Sequence, residues 1–437
     1  MKLLGGVIMA KTITVREYES FTCNKNVLGH ISLSESTFKN LEEFILANNS
    51  QDSEALEFMG IAARKGIGKV ITAKNYVGVI SMNDGTTIEI LPKIYSEQDN
   101  IAEAKRLLIK MLKTLRTAPY KTMQKTNVNI DKLSIFEIFI RMFLDEVFSI
   151  VKHGLKCNYE CIQDNLNVFK GKMLFSKQLK YNVVHKEKFF VEYDEFNTNR
   201  AENRLLKSTL VYLYKKTTSN KNKNDIRTLL NSFVDVNEST NYDDDFSKCI
   251  ADRNMKGYTT ALLWSKVFLQ GKSFTSFSGS NVAFALLFPM ETLFESYVAS
   301  LMRKHLQGTD YSFSAQDKGY HLFDNPKKFM LRPDIVIKNK IIKTVFVMDT
   351  KWKLLSLSKA NAGISQADMY QMYAYQKKYN AKNITLLYPK TAENIDEGRL
   401  TFISNDGVTV NVKFVDLYDK NSISNILNGI IEKEEAL

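Results

Sequence analysis

The chain has 437 residues, 44% hydrophobic and 25% charged, a balance that excludes a mostly disordered chain, a fibre and a polytopic membrane protein. A single hydrophobic core stops growing near ~250–300 residues, so two or three domains are expected. The net charge of +12 makes a polyanion such as DNA a natural partner, although 48 of the 60 cationic residues are Lys, a bias that an AT-rich genome also produces.

Residues 3–10 form a short apolar run between Lys2 and Lys11, read as a strand start or a surplus leader upstream of Met9 rather than a signal peptide. No stretch approaches the ~18 apolar residues of a membrane span, so a soluble, cytoplasmic protein without membrane contact is expected. Residues 1–96 alternate apolar and polar positions at the strand period and predict a β-rich N-terminal module, interrupted by a helix near Ser36–Asn48. Within it, Tyr76–Met82 and Thr86–Leu91 flank Asn83-Asp84-Gly85, a hairpin turn signal because Asp and Gly tolerate positive φ. Pro92, lacking an N–H, ends the second strand.

Helical periodicity then marks a middle region, residues 97–275. Helices are predicted over Ala102–Arg116, Ser134–His153 with Gly154 as its C-terminal cap, Arg200–Lys216 and Met255–Leu269. The polar stretch Thr217–Asp225 and the acidic stretch Asn237–Asp245 read as exposed turns or a linker. A Gly/Ser-rich patch, Gly271–Ser280, sets the last boundary. From there to residue 437 the order is helix (Phe288–Leu306), strand (Leu331–Ile337), strand (Thr344–Trp352), helix (Gln366–Tyr379) and strand (Ile384–Pro389), a polar loop at Lys338–Lys340 joining the first two strands. The fold class is α+β and multidomain, ending in an α/β domain with a mixed sheet flanked by helices.

Several motifs fail. Gly271-Lys272-Ser273 lacks the Gly of a phosphate loop five positions earlier, where Lys266 stands, and Gly66-Ile67-Gly68-Lys69 lacks the Ser or Thr after its Lys. The chain is not an NTPase on its own. The five His form no HExxH pair. Cys23, Cys157, Cys161 and Cys249 form no CxxC pair, and Cys157 and Cys161 read as buried small apolar residues.

One constellation carries chemistry. Asp349 and Lys351 stand two apart on a predicted strand, so both point to one face after the apolar run Val345–Met348. Asp334, after Pro333 on the neighbouring strand, reaches the same face. Two close carboxylates repel, and a hard cation such as Mg²⁺ relieves the repulsion while activating a water against a phosphodiester. Lys351 would orient that water or steady the developing charge. Glu295 and Glu291 lie on the border of the apolar stripe of the helix before, where a side chain faces either the site or solvent.

Pro-Asp followed by Asp-x-Lys resembles the PD-(D/E)xK nuclease superfamily. With Phe294-Glu295, LRPDIVI, VMDTKWK, DMYQMYAY and LLYP, and with NYVGVI…DGTTIEILPKI and the Asn203-Arg204 helix start earlier, the chain resembles the McrC family, the nuclease subunits of McrBC restriction systems. The resemblance touches roughly residues 75–390 in blocks. It implies a Mg²⁺-dependent DNA endonuclease of a GTP-driven, antiviral restriction system, with GTP bound by an AAA+ partner ring, McrB. The N-terminal module would enter that ring and stimulate GTP hydrolysis, and the nuclease domain would cut double-stranded DNA, with room for self-association. It also implies that Asp334 and Asp349 are metal ligands, that Lys351 is the catalytic lysine, and that Gln371 and Tyr375 are the supporting Gln-x-x-x-Tyr of RecB-like nucleases, with Glu295 as a further supporting acid. Two alternatives stand beside this reading: a ring-binding activator with an inactive nuclease fold, and a stand-alone RecB-like repair nuclease.

Overall fold

β-Branched and aromatic residues at alternate positions give the described residues at the start of the chain seven strands, with a helix where the period changes to 3.6. The computed structural model describes residues 12–24, 27–49, 58–82, 84–93, 100–115, 133–249, 257–270, 282–390 and 400–435. Expectations for residues 1–11, Asn83, Met255 and the stretch 271–280 lie outside them. The chain forms two compact units, Met1–Ile135 with Ser273–Leu437, and Phe136–Lys272.

The first unit begins with β1 (Thr12–Arg16), β2 (Ser20–Thr22), β3 (His30–Ser32), α1 (Glu35–Asn49), β4 (Met59–Arg64), β5 (Gly68–Ala73), β6 (Tyr76–Met82) and β7 (Thr87–Leu91). One sheet has the order β3-β2-β5-β4. Phe38, Leu41, Phe44 and Ile45 of α1 share a buried cluster with Phe21, Ile71, Tyr76, Ile80, Ile88 and Ile90. The β6–β7 hairpin turns as expected: Asp84 Oδ1 accepts from Thr86 N at 2.8 Å and Gly85 has φ +86°. The Gly66–Gly68 pair forms the tight turn between β4 and β5, both at positive φ, not a phosphate cradle. α2 (Ile101–Leu112) follows, capped by Asn100, with Leu107, Leu108, Met111 and Leu112 buried. It belongs to this first unit, not to the middle region.

The second unit holds α3 (Ile135–His153, its first residue in the first unit), β8 (Asn158–Leu166), β9 (Lys172–Met173), α4 (Phe175–Tyr181), β10 (Phe189–Asn197), α5 (Ala201–Lys216), α6 (Asn220–Asn231), α7 (Tyr242–Lys248) and α8 (Thr259–Gln270). Its core stacks Trp264 on Phe268 at 5.5 Å, with Phe139 and Phe143 beside them. Gly154 ends α3 at φ +86°. A three-stranded antiparallel sheet, β8-β10-β9, is not legible in the sequence. Cys161 on β8 is exposed, not buried.

The stretch expected as an exposed linker, Thr217–Asp225, is instead the entry to α6, and Thr217 and Asn222 are buried. Polar residues enter the interior here because Glu137 meets their donors. Its carboxylate accepts from Thr217 Oγ1 (2.6 Å), Thr218 N (2.6 Å), Thr218 Oγ1 (3.0 Å), Ser219 N (3.2 Å) and Asn222 Nδ2 (2.8 Å). Likewise the acidic stretch becomes α7, whose Asp245 is buried against Arg204 at 2.6 Å. Glu137→Ala strands several buried donors at ~1–3 kcal/mol each, so a loss of about 3–5 kcal/mol is expected. Urea unfolding of the full chain checks this, and a loss below about 1 kcal/mol would show that water replaces the carboxylate.

The chain then returns to the first unit. β11 (Val282–Pro289) pairs antiparallel with β6 and completes the sheet β1-β7-β6-β11. No helix begins at Phe288; α9 (Met290–His305) starts only after Pro289. A Cβ on Gly78 would stand 2.0 Å from Leu286 O, so only glycine lets these two strands meet. In place of the expected boundaries at 96 and 275 the chain divides into two units, with β11, distant in sequence from β6, finishing the N-terminal sheet.

The last sheet uses β12 (Tyr311–Ala315), β15 (Ile335–Asn339), β16 (Val345–Thr350), β17 (Asn383–Pro389), β18 (Thr401–Ile403) and β19 (Thr409–Val415) in the order β12-β15-β16-β17-β19-β18. It is mixed: β16, β17 and β19 run parallel, and the other pairings are antiparallel. Between its strands lie the hairpin of β13 (His321–Asp324) with β14 (Lys327–Met330) and the helix α10 (Gln366–Tyr379), and α11 (Ser422–Glu435) follows the sheet. β15 starts at Ile335 rather than Leu331, since Pro333 cannot donate to a ladder, and it extends into the loop expected at 338–340, ending at Asn339. Among the described residues no helix is long and apolar enough to cross a membrane.

Candidate active site

The antiparallel register of β15 and β16 pairs Ile335 with Met348, which sets Asp334 beside Asp349. Asp334 Oδ2 accepts from Thr350 N (2.8 Å) and Thr350 Oγ1 (2.7 Å), and Oδ1 from Gln316 Nε2 (2.8 Å). Asp349 is only 2% exposed, yet its Oδ2 has no hydrogen-bond partner. Lys351 Nζ is 2.7 Å from that oxygen, an ion pair off the hydrogen-bonding direction. Lys351 lies one residue past the end of β16, but its N–H still donates to Leu387 O at 2.9 Å, so the extended course continues and Asp349 and Lys351 share a face.

Burial pushes both carboxyls up, and for Asp349 the neighbouring Asp334 charge adds to it. Burial pulls Lys351 down, but the Asp349 charge outweighs it and holds the ammonium above its ordinary value. The site is therefore two buried acids competing for one cation.

Helix α10 supplies the next layer. Gln371 Oε1 accepts from Lys351 Nζ at 3.1 Å, and Gln371 Nε2 donates to Tyr375 Oη at 2.8 Å. Asp368, one turn before Gln371, stands 3.4 Å from Lys351 Nζ. On the other side Glu295 of α9 accepts from Gln316 Nε2 at 2.5 Å, so one amide bridges Glu295 and Asp334. Burial first, and then the Asp334 charge, pushes Glu295 up to about 7. Gln316 has φ +52°, a left-handed backbone held by its N–H to Asp334 O at 2.9 Å. Glu291 turns elsewhere and accepts from Asn75 Nδ2.

Asp334, Asp349, Lys351, Gln371, Tyr375 and Glu295 thus form one contiguous set. Gln316, Thr350 and Asp368 join them, although sequence reasoning does not single them out. Asp368 is findable, being three residues before Gln371 on one helix. Gln316 carries no signal, because only the β12–β15 pairing brings it near. Among the described residues no group of three or more His, Cys, Asp and Glu side chains is arranged to hold a metal.

Behind the site, Trp352 donates to Glu17 Oε1 at 3.0 Å and packs against Phe294. Glu17 also accepts from Lys93 N at 2.9 Å and is fully buried, and that burial pushes its carboxyl up to about 8. Between about pH 4.5 and 8 the folded chain holds a proton there that the unfolded chain has released. Stability from this group is complete below that window and falls as pH rises through it, by up to ~1.4 kcal/mol per unit. Glu17→Gln should flatten the fall, which denaturation at about pH 5, 6, 7 and 8 measures; an unchanged slope would assign it to other groups.

A chain of the refined half-complex from the tetradecameric assembly of Thermococcus gammatolerans McrB AAA+ hexamers with bound McrC matches with a TM-score of 0.69 and 17% identity, covering 96% of this chain and 100% of that one. A chain of the Thermococcus gammatolerans McrBC complex matches at 18% identity and a TM-score of 0.49, covering 68% of this chain and 88% of that one. The first likeness establishes a shared fold. No curated protein sequence matches. The family model for McrBC 5-methylcytosine restriction system components matches residues 71–389, well over half the chain. The chain belongs to the family of McrBC 5-methylcytosine restriction system components.

Proposed function

We propose that the chain is the nuclease subunit of a two-component, GTP-dependent restriction system, hydrolysing DNA phosphodiesters at a PD-(D/E)xK site and acting with an McrB-like AAA+ ring. The observation that carries this is Asp349, a buried carboxylate set beside a second carboxylate and ion-paired to Lys351 at 2.7 Å. Such a pair is costly unless a cation completes it. Two carboxylates suit Mg²⁺, which keeps several waters and takes its remaining ligands from substrate phosphates. Asp334 and Asp349 would hold the ion, which when bound polarises the phosphodiester and lowers the pKa of its water. Lys351 then orients the attacking water and meets the charge that develops on the phosphate. Gln371, anchored by Tyr375, fixes the Lys351 ammonium, and Gln316 keeps Glu295 and Asp334 in register.

A ring-binding activator with an inactive fold gives no reason to bury Asp349 against a second carboxylate, so the active reading is favoured. In the reconstituted complex Mg²⁺ or Mn²⁺ should support cutting, EDTA should stop it, and Ca²⁺, with a larger and looser shell, should bind without turnover. Full cutting in EDTA would overturn the reading.

For ring contact, two surfaces compete. The β4–β5 hairpin presents exposed Arg64, Lys65 and Lys69, the last paired to Glu42 at 2.6 Å. The second unit presents Val168, Phe169, Phe175, Leu179, Val183 and Val184, each more than half exposed. Lysines are interleaved: Lys177 and Lys180 lie over the rings of Phe190 and Tyr181. Exposed apolar clusters rimmed by charge mark protein interfaces, whereas a charged hairpin is commonly just solvated. We therefore place the main ring contact on the second unit.

A further inference from the structure

Next to the carboxylate pair the first unit has a cavity of about 750 Å³, bounded by the end of α2, one face of α9, the end of β12 and the residue before Pro333. Glu295 and Gln316 form part of its wall, so it is continuous with the site already described. Helix α9 faces it with Thr292, Ser296 and Ser300. At ~1.5 Å per residue these hydroxyls recur about every 6 Å along one line.

Three cations enter the same hollow from separate elements: Lys113 after α2, Arg303 in the last turn of α9, and Arg332. Among the described residues none of the three makes an ion pair. Arg303 lies over the Phe313 ring, its guanidinium carbon 4.9 Å from the ring centre, and a guanidinium over a ring can still donate from its N–H groups. The single carboxylate in the wall, Glu295, feels the Arg332 charge and is tied through Gln316 to Asp334. Gathering like charges in a concavity is unfavourable unless an anion shares it. No aromatic side chain lines the cavity among the described residues, so it offers no stacking platform for a base. Hydroxyls and cations without base-reading groups suit a sugar–phosphate backbone.

We propose that this groove seats phosphates of the DNA strand flanking the scissile one, gripped by Lys113, Arg303 and Arg332, with Ser296 and Ser300 donating to their oxygens. The proposal rests on the nuclease reading and adds to it the path of the substrate strand. The groove would set where along the strand the scissile phosphate stops and would be indifferent to sequence.

The test is DNA binding by the full chain, without metal and therefore without cutting, on a short duplex and on one single strand over a salt series. Arg303→Gln combined with Arg332→Gln should weaken binding about 10–100-fold on every sequence, and should lower the slope of log affinity against log salt by roughly 0.9 for each phosphate no longer neutralised. Arg303→Lys with Arg332→Lys should keep the slope, which separates lost charge from a damaged fold. In the complex the Gln pair should raise KM more than it lowers kcat. Unchanged affinity and slope in the Gln pair, while the wild-type complex still cuts, would overturn the groove and leave the nuclease reading standing. Weakened binding with no cutting by the wild-type complex in any metal would support the groove and overturn the nuclease. Displacement of DNA by equimolar GTP would also overturn it, since the hollow would then be a nucleotide site.

Discussion

Asp349→Ala should cut DNA at least about a thousandfold more slowly in the reconstituted complex, and should fold at least as well as the unaltered chain. The first part follows from the role of a metal-holding carboxylate, where removing one electrostatic partner of a transition state commonly costs ~10²–10³ or more. The second follows from its surroundings. Asp349 is buried and Asp334 repels it, against which it has the ion pair to Lys351 at 2.7 Å. Removing it lifts that repulsion, while Lys351 keeps Asp368 at 3.4 Å and Gln371 at 3.1 Å, as is expected of residues kept for chemistry at the expense of stability. Asp334 differs, because Thr350 N, Thr350 Oγ1 and Gln316 Nε2 all donate to it. Asp334→Ala would strand these donors and cost about 2–3 kcal/mol, so Asp334→Asn is the cleaner probe. Mg²⁺ should raise the melting temperature of the unaltered chain and leave that of Asp349→Ala unchanged. Near-normal cutting by Asp349→Ala, or an equal Mg²⁺ shift in both proteins, would remove the assignment.

Much of this site is legible in the sequence because its signals are local. Asp349 and Lys351 lie two apart after an apolar run, and Gln371 and Tyr375 lie four apart on a helix whose observed bounds, Gln366–Tyr379, are those expected. The periods of strand and helix put each pair on one face without knowledge of the fold. What stays hidden depends on pairings between distant segments. Gln316 matters only because β12 lies against β15, and Glu17 only because it comes to rest behind Trp352, 335 positions later. β11 escapes sequence reasoning for a related reason: a continuous apolar run such as VAFALLFP, leading straight into an amphipathic helix, has no period that separates strand from helix. The polar entry to α6 escapes it because a buried carboxylate from another helix satisfies it, and composition reports polarity but not partners.

Lys351→Ala and a double change on α4, Phe175→Ser with Leu179→Ser, should separate two activities that the complex couples. Lys351 belongs to the first unit and, among the described residues, its ammonium touches Asp349, Asp368 and Gln371, so its loss should leave the stimulation of GTP hydrolysis by the McrB-like partner within about twofold while DNA stays uncut. Phe175 and Leu179 are 72% and 70% exposed, lie one turn apart on one face, and α4 buries none of its residues. Their replacement removes little from the fold, within about 0.5 kcal/mol, because neither side chain is packed. If this face meets the ring, losing two apolar anchors at about 1.5–3 kcal/mol each should weaken the complex a hundredfold or more. GTPase stimulation and cutting would then fall together and recover in part at high subunit concentration. Reversing charge at Arg64 and Lys65 supplies the contrast: a greater loss there than on α4 would move the main contact to the β4–β5 hairpin. Parallel loss of both activities in a folded Lys351→Ala chain would refute the separation itself, because a lysine confined to the carboxylate site would then be governing the motor.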